Sequence, residues 1–280
     1  MREKCFILSI IILLLTLIFA YDGGEMCEAK VSYGTIREIP DSTWQKLEKI
    51  KIYFGHQSVG NNILDGIKDL LKETQQIKLN IVETRSPYDF NVPLFAHSKI
   101  GKNEDPESKI DDFAGLIGNG LGDKVDIAFL KFCFVDIESG TDVNSLFAKY
   151  ADTMARLKKE NPKAVFVHLT VPLLRKNKPS IKDRIKALMG KKGGFFDNQH
   201  NLARNEFNEL VVKEYNGKEP VFDLAKIEST YPDGRRETFT ADGRIYYSLV
   251  PEYTKDGGHL NEIGRKKVAE QLLIFIANIF

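Results

Sequence analysis

The sequence predicts an α/β protein of three layers, with a mainly parallel five-stranded sheet covered by helices on both faces. Short apolar runs alternate with segments of helical period from residue 50 to the C-terminus. Strands separated by helices imply right-handed crossovers, hence parallel pairing and a sheet buried on both sides. At 280 residues, 42% of them hydrophobic and 28% charged, the chain suits one substantial globular core.

Residues 1–20 stand apart: Arg2 and Lys4 precede an apolar run from Cys5 to Ala20, too short and too abruptly ended for a membrane span. This is the layout of a secretory signal peptide cleaved after Ala20. Ile18 occupies a position where a small residue is usual, so an uncleaved N-terminal anchor is the alternative. Cys27 lacks the small apolar residues that precede a lipidated cysteine. Residues 21–45 carry turn formers and little apolar pattern, as in a leader, apart from a short helix beginning at Asp41; the folded domain is expected over residues 46–280.

The first strand is Ile50, Ile52, Tyr53 and Phe54, broken by Gly55. Ile63, Leu64, Ile67, Leu70 and Leu71 then recur at helical spacing, so a helix starts near Ser58. Alternation at Ile77, Leu79 and Ile81 marks a second strand over residues 77–83, and residues 84–106 read as a long loop. A helix over 107–117 leads to a strongly apolar third strand over 125–135. Helix 146–160, strand 164–171, helix 202–215, strand 221–224 and a closing amphipathic helix over 263–279 complete the pattern. Residues 175–192 are basic, with Asp183 the only acid, and read as a solvated insertion; docking to an anionic glycan or lipid surface is the alternative. Residues 227–252 show no clear pattern.

Lys plus Arg is 40 against 39 for Asp plus Glu, so no global field argues for nucleic acid as partner. Three cysteines make no disulfide framework; export would permit a Cys27–Cys133 bond without requiring one.

A strand that ends in a glycine turn and feeds a helix puts Ser58 at the carboxyl edge of the sheet. Helix-start N–H groups there favour negative charge. A serine so placed suits a nucleophile; taken alone it also suits a helix N-cap. Near the other end the chain reads Tyr253-Thr-Lys-Asp256-Gly-Gly-His259-Leu-Asn261-Glu-Ile-Gly264. The three-residue spacing lets the Asp256 carboxylate reach one imidazole nitrogen of His259 while the other faces a serine. The alternatives are a plain turn, or a metal site of His56, Asp256 and His259, for which no tight ligand spacing speaks. No metal and no cofactor is expected.

Together these motifs resemble the SGNH (GDSL-like) hydrolase superfamily, over roughly residues 50–280. The resemblance implies a flavodoxin-like sheet, with Ser58 as nucleophile, His259 as general base and then acid, and Asp256 as its orienting group. It also implies an oxyanion hole made by the Ser58 N–H, a glycine N–H after the second strand, best matched by Gly101, and an asparagine after the third strand. The chain departs from this pattern. Gly-His-Gln-Ser58 replaces Gly-Asp-Ser, and the third strand ends Leu130-Lys-Phe-Cys-Phe-Val-Asp136 with no asparagine. Lys131 interrupts that apolar strand and is expected either to replace the missing donor or to pair with Asp136. The implied activity is hydrolysis of small acyl esters, acetyl foremost, on small molecules or on an extracellular or envelope polysaccharide. Membrane contact is expected only through an uncleaved anchor. An acyltransferase on the same fold, or a non-catalytic glycan-binding module on a degenerate one, are the alternatives.

Overall fold

β1 (Lys51–His56) lies at the middle of a six-stranded parallel sheet. On one side stand β3 (Leu94–Lys99) and, at the edge, β2 (Ile81–Glu83); on the other follow β4 (Ile127–Leu130), β5 (Val165–Leu169) and β6 (Val221–Phe222). The computed structural model describes residues 32–74, 76–176 and 198–279. The expected signal segment or anchor, Cys5, Cys27 and most of the basic stretch 175–192 lie outside the described residues. Among the described residues no helix is long and apolar enough to cross a membrane.

The pleat of β1 shows how the core divides. Ile52 and Phe54 point into one apolar cluster and Tyr53 into the other, and Ile127 and Phe129 of β4 part from Ala128 and Leu130 in the same way. The first cluster is roofed by α1 (Asp41–Leu47), α2 (Val59–Glu73) and α7 (Glu262–Ile279). The second is roofed by α3 (Pro106–Leu116), α4 (Val143–Glu160) and α5 (Asn198–Tyr215). A short α6 (Leu224–Glu228) adds Leu224 and Ala225 to the first cluster. The expected three layers and parallel pairing are therefore present.

Three expectations are corrected. The sheet has six strands rather than five, because Leu94–Lys99 pairs inside the segment expected to be a loop, and the second strand shrinks to Ile81–Glu83. The third strand stops at Leu130, and residues 131–136 leave the sheet for a turn ending in a short 3₁₀ helix, Phe134–Asp136. The packed domain begins near Tyr33 rather than at residue 46. Trp44 and Leu47 of α1 are each 2% exposed, and Tyr33 exchanges two backbone hydrogen bonds with the Asn278 side chain on α7, at 2.8 and 3.2 Å.

Candidate active site

The turn between β1 and α2 carries Ser58 at the N-terminus of a four-turn helix, where the helix dipole favours negative charge. That turn is built on His56. The His56 ring is fully buried beneath the first turn of α2, and a Cβ on Gly60 would stand 2.3 Å from it, so only glycine lets the helix start there. His56 Nε2 lies 3.1 Å from His97 Nδ1, and His56 Nδ1 faces the Gln57 carbonyl at 3.3 Å. Burial, then the positive charge of Lys131, push the His56 pKa down to about 3, so the ring is neutral. It supports the site from below and does not stand with Asp256 and His259. Among the described residues no group of three His, Cys, Asp or Glu side chains is placed to hold a metal.

Ser58 makes no side-chain capping bond to α2, so the plain N-cap expectation does not describe it. Its Oγ instead meets Cys133 Sγ at 3.6 Å. Asp256 and His259 come to the same place on the turn before α7. Asp256 Oδ1 accepts from the N–H groups of Gly258 and His259 at 2.9 and 2.8 Å and from the Thr254 hydroxyl at 3.2 Å. Its Oδ2 lies 2.7 Å from His259 Nδ1, where a carboxylate can only accept, so Nδ1 carries a proton. Partial burial raises the Asp256 pKa, but the Gly258 N–H, the His259 ring and the His259 N–H outweigh it and hold the carboxyl at about 2. The imidazole stands edge-on to Phe134, ring centres 5.3 Å apart. Leu260 N–H donates to Asn62 Oδ1 at 3.1 Å, which ties this turn to the first turns of α2.

Ser58, Asp256 and His259 line one cavity of about 230 Å³, together with Asn103, Phe134, Val135 and Gly258. A larger cavity of about 640 Å³ opens beside β6 and α7 and shares no residue with it. The three residues singled out by the sequence are thus brought together across 198 to 201 positions of chain only by the fold.

The other two expected residues do not join them. Gly101 has a φ of +51°, its N–H donates to Asp112 Oδ2 at 2.9 Å, and a Cβ there would meet the Lys109 backbone at 2.6 Å. It is a turn residue packed on α3, with its N–H already engaged. Lys131 is fully buried behind the cavity wall, where Nζ donates to the Phe132 carbonyl at 3.0 Å and touches Cys133 Sγ at 3.3 Å. Nor does it pair with Asp136, whose carboxylate takes Lys109 Nζ at 2.5 Å. Asn103 is the one polar side chain of the cavity that the sequence motifs did not point to. The asparagine sought after the third strand is absent, whereas Asn103 follows the strand on the opposite side of β1.

No protein-family profile and no curated protein matches this chain. Among solved structures it is similar to an acetyl xylan esterase, AlAXEase, at 19% identity and a TM-score of 0.43, over 80% of this chain and 98% of that one. It is similar to the periplasmic domain of a lipopolysaccharide acetyltransferase from Salmonella ser. Paratyphi A, at 11% identity and TM-score 0.43, over 81% and 84% of the two chains. The lipase Lip_vut3 from a goat rumen metagenome gives 11% identity and TM-score 0.43, over 80% and 96%. The roles of the side chains rest on the geometry of this chain.

Proposed function

We propose that the protein is a serine esterase of the SGNH type, which removes a small acyl group, acetyl foremost, through an acyl-serine intermediate. The observation that carries this reading is the Asp256–His259 pair, with its tautomer fixed at 2.7 Å, opening on the same small cavity as Ser58. In the reaction His259 Nε2 takes the Ser58 proton as Oγ attacks the ester carbonyl. The tetrahedral intermediate then collapses, and His259 returns the proton to the departing alcohol. Water, deprotonated by the same nitrogen, attacks the acyl-serine and releases the acid and the free serine. Asp256 stays ionised throughout and stabilises the imidazolium. The volume of about 230 Å³, with Phe134 and Val135 on its apolar side, suits an acyl group of few carbons.

The His259 and Asp256 side chains are 43% and 55% exposed, so a bulky alcohol such as a polysaccharide hydroxyl can reach them. The same openness admits a sugar hydroxyl in place of water, which would make the enzyme an acyltransferase. The charged start and apolar core of residues 1–20 support export, with the mature chain beginning near Tyr21. N-terminal sequencing of the exported protein checks this; a chain still starting at Met1 would show an anchor instead.

The triad itself is tested by kinetics on a chromogenic acetyl ester. Ser58→Ala and His259→Ala should each lower kcat on the order of 10⁴-fold or more, and the double variant little further, because the groups act as one unit. Losses that multiply would exclude the shared mechanism.

A further inference from the structure

Acyl transfer needs donors aimed at the oxygen that becomes an oxyanion. With the Gly101 N–H bound to Asp112 and Lys131 behind the wall, one polar side chain besides the triad lines the cavity: Asn103. Its carboxamide has a fixed sense. Lys109 Nζ donates to Asn103 Oδ1 at 3.0 Å, and an ammonium can only donate, so the oxygen faces Lys109 and the NH₂ faces the other way. Among the described residues the Asn103 side chain bonds through Oδ1 alone, and no acceptor takes up Nδ2.

The ammonium that holds this amide is fully buried, and its counter-ion Asp136 is 3% exposed. Asp136 Oδ2 accepts from Lys109 Nζ at 2.5 Å and from the Cys133 N–H at 2.5 Å, and Oδ1 accepts from the Glu104 N–H at 3.1 Å. A buried ion pair is a poor source of stability compared with apolar packing. This one joins α3 to the segment after β4, and through Asn103 and the Glu104 N–H it also holds the loop after β3. It also places a full positive charge on the carbonyl end of Asn103, which polarises the amide and strengthens its N–H as a donor.

We propose that Asn103 Nδ2 is the side-chain donor of the oxyanion hole, and that the buried Lys109–Asp136 pair is the device that orients and polarises it. Asn103 touches the reacting carbonyl oxygen; Lys109 and Asp136 are positioning residues acting through it. The proposal rests on the Ser58 esterase reading above.

The experiment measures kcat and KM on an aryl acetate for Asn103→Ala, Asn103→Asp, the paired change Lys109→Met with Asp136→Asn, and Ser58→Ala. Asn103→Ala should lower kcat about 10²- to 10³-fold with KM nearly unchanged, as for loss of one preorganised donor. Asn103→Asp, which puts an acceptor and a charge there, should be at least as slow. The Lys109/Asp136 variant should also lose kcat, and adding Asn103→Ala to it should cost little more, since Lys109 acts through Asn103. A merely structural pair would instead give losses that multiply, and that result overturns the positioning role. If the paired variant does not fold, the exposed Asn103 decides alone. Full activity of folded Asn103→Ala beside an inactive Ser58→Ala overturns the donor assignment and leaves the esterase reading standing. Full activity of Ser58→Ala overturns the esterase reading itself.

Discussion

Lys109, Lys131, Asp136, Arg204 and Glu228 are all buried, and Glu228 is the one with the clearest measurable consequence. Its Oε1 accepts from the Leu173 N–H, while Oε2, like Arg204 Nη2 and Ser248 Oγ, has no partner among the described residues. Burial pushes the Glu228 pKa up to about 8, against the Leu173 N–H and the charges of Lys131 and Arg204. The folded pKa therefore lies above the unfolded one of about 4.3. The native state keeps a proton that the unfolded chain releases, so stability is complete below about pH 4 and falls as pH rises through 8. Glu228→Gln removes that titration and should melt above the wild type at pH 9 but close to it at pH 5. Parallel melting curves across that range would contradict the buried, neutral acid. His56 works on the acid side: depressed to about 3, it costs stability as pH falls from roughly 6.5 towards 3. At this same scale the Asp256–His259 pair was legible because the two are three apart, and a short turn converts that spacing directly into a hydrogen bond of 2.7 Å. The place of Asn103 in the cavity was not, because it depends on which strand lies beside β1, and no local pattern encodes that.

Elements were legible where burial is one-sided. α2 and α4 each present an apolar stripe to the sheet and a charged face to water, whereas α7, expected to be amphipathic, is buried or half-buried from Gly264 onward; the expected bounds of all three differ from the observed ones by a few residues. β3 was hidden because it is central and buried on both faces while its middle is Ala96, His97 and Ser98, residues that carry little hydrophobic signal. Those polar groups are satisfied across β1, Ser98 Oγ by Tyr53 OH at 2.7 Å and His97 by His56. Another missed element is a hairpin of β7 (Thr238–Ala241) and β8 (Arg244–Tyr247) inside the patternless segment 227–252. Its turn, Asp242-Gly243 with φ of +48° and +74°, is a recognised two-residue hairpin signal. Of the flanking strands β7 is largely half-buried and β8 largely exposed, and neither alternates clearly, which left the turn unsupported by its neighbours.

At the scale of the whole molecule, strand order makes the site. From β1 the sheet runs outward to β3 and β2 on one side and to β4, β5 and β6 on the other, so the carboxyl end of β1 is a switch point with loops departing on both sides. The Ser58 turn occupies that crevice, with Asn103 arriving from the β3 side and Phe134 from the β4 side. α7 packs against α2, and Arg265 pairs with Asp69 at 2.7 Å, which carries the preceding turn and its His259 to the same crevice from the far end of the chain. If this convergence makes Ser58 an acyl carrier, as proposed, intact mass spectrometry reads that directly. Brief exposure to an activated acetyl ester should add one acetyl group to the wild type, located by peptide mapping on Ser58, and none to Ser58→Ala. Equal acetylation of Ser58→Ala, or an acetyl group mapped to Cys133 or to surface lysines instead, would contradict it.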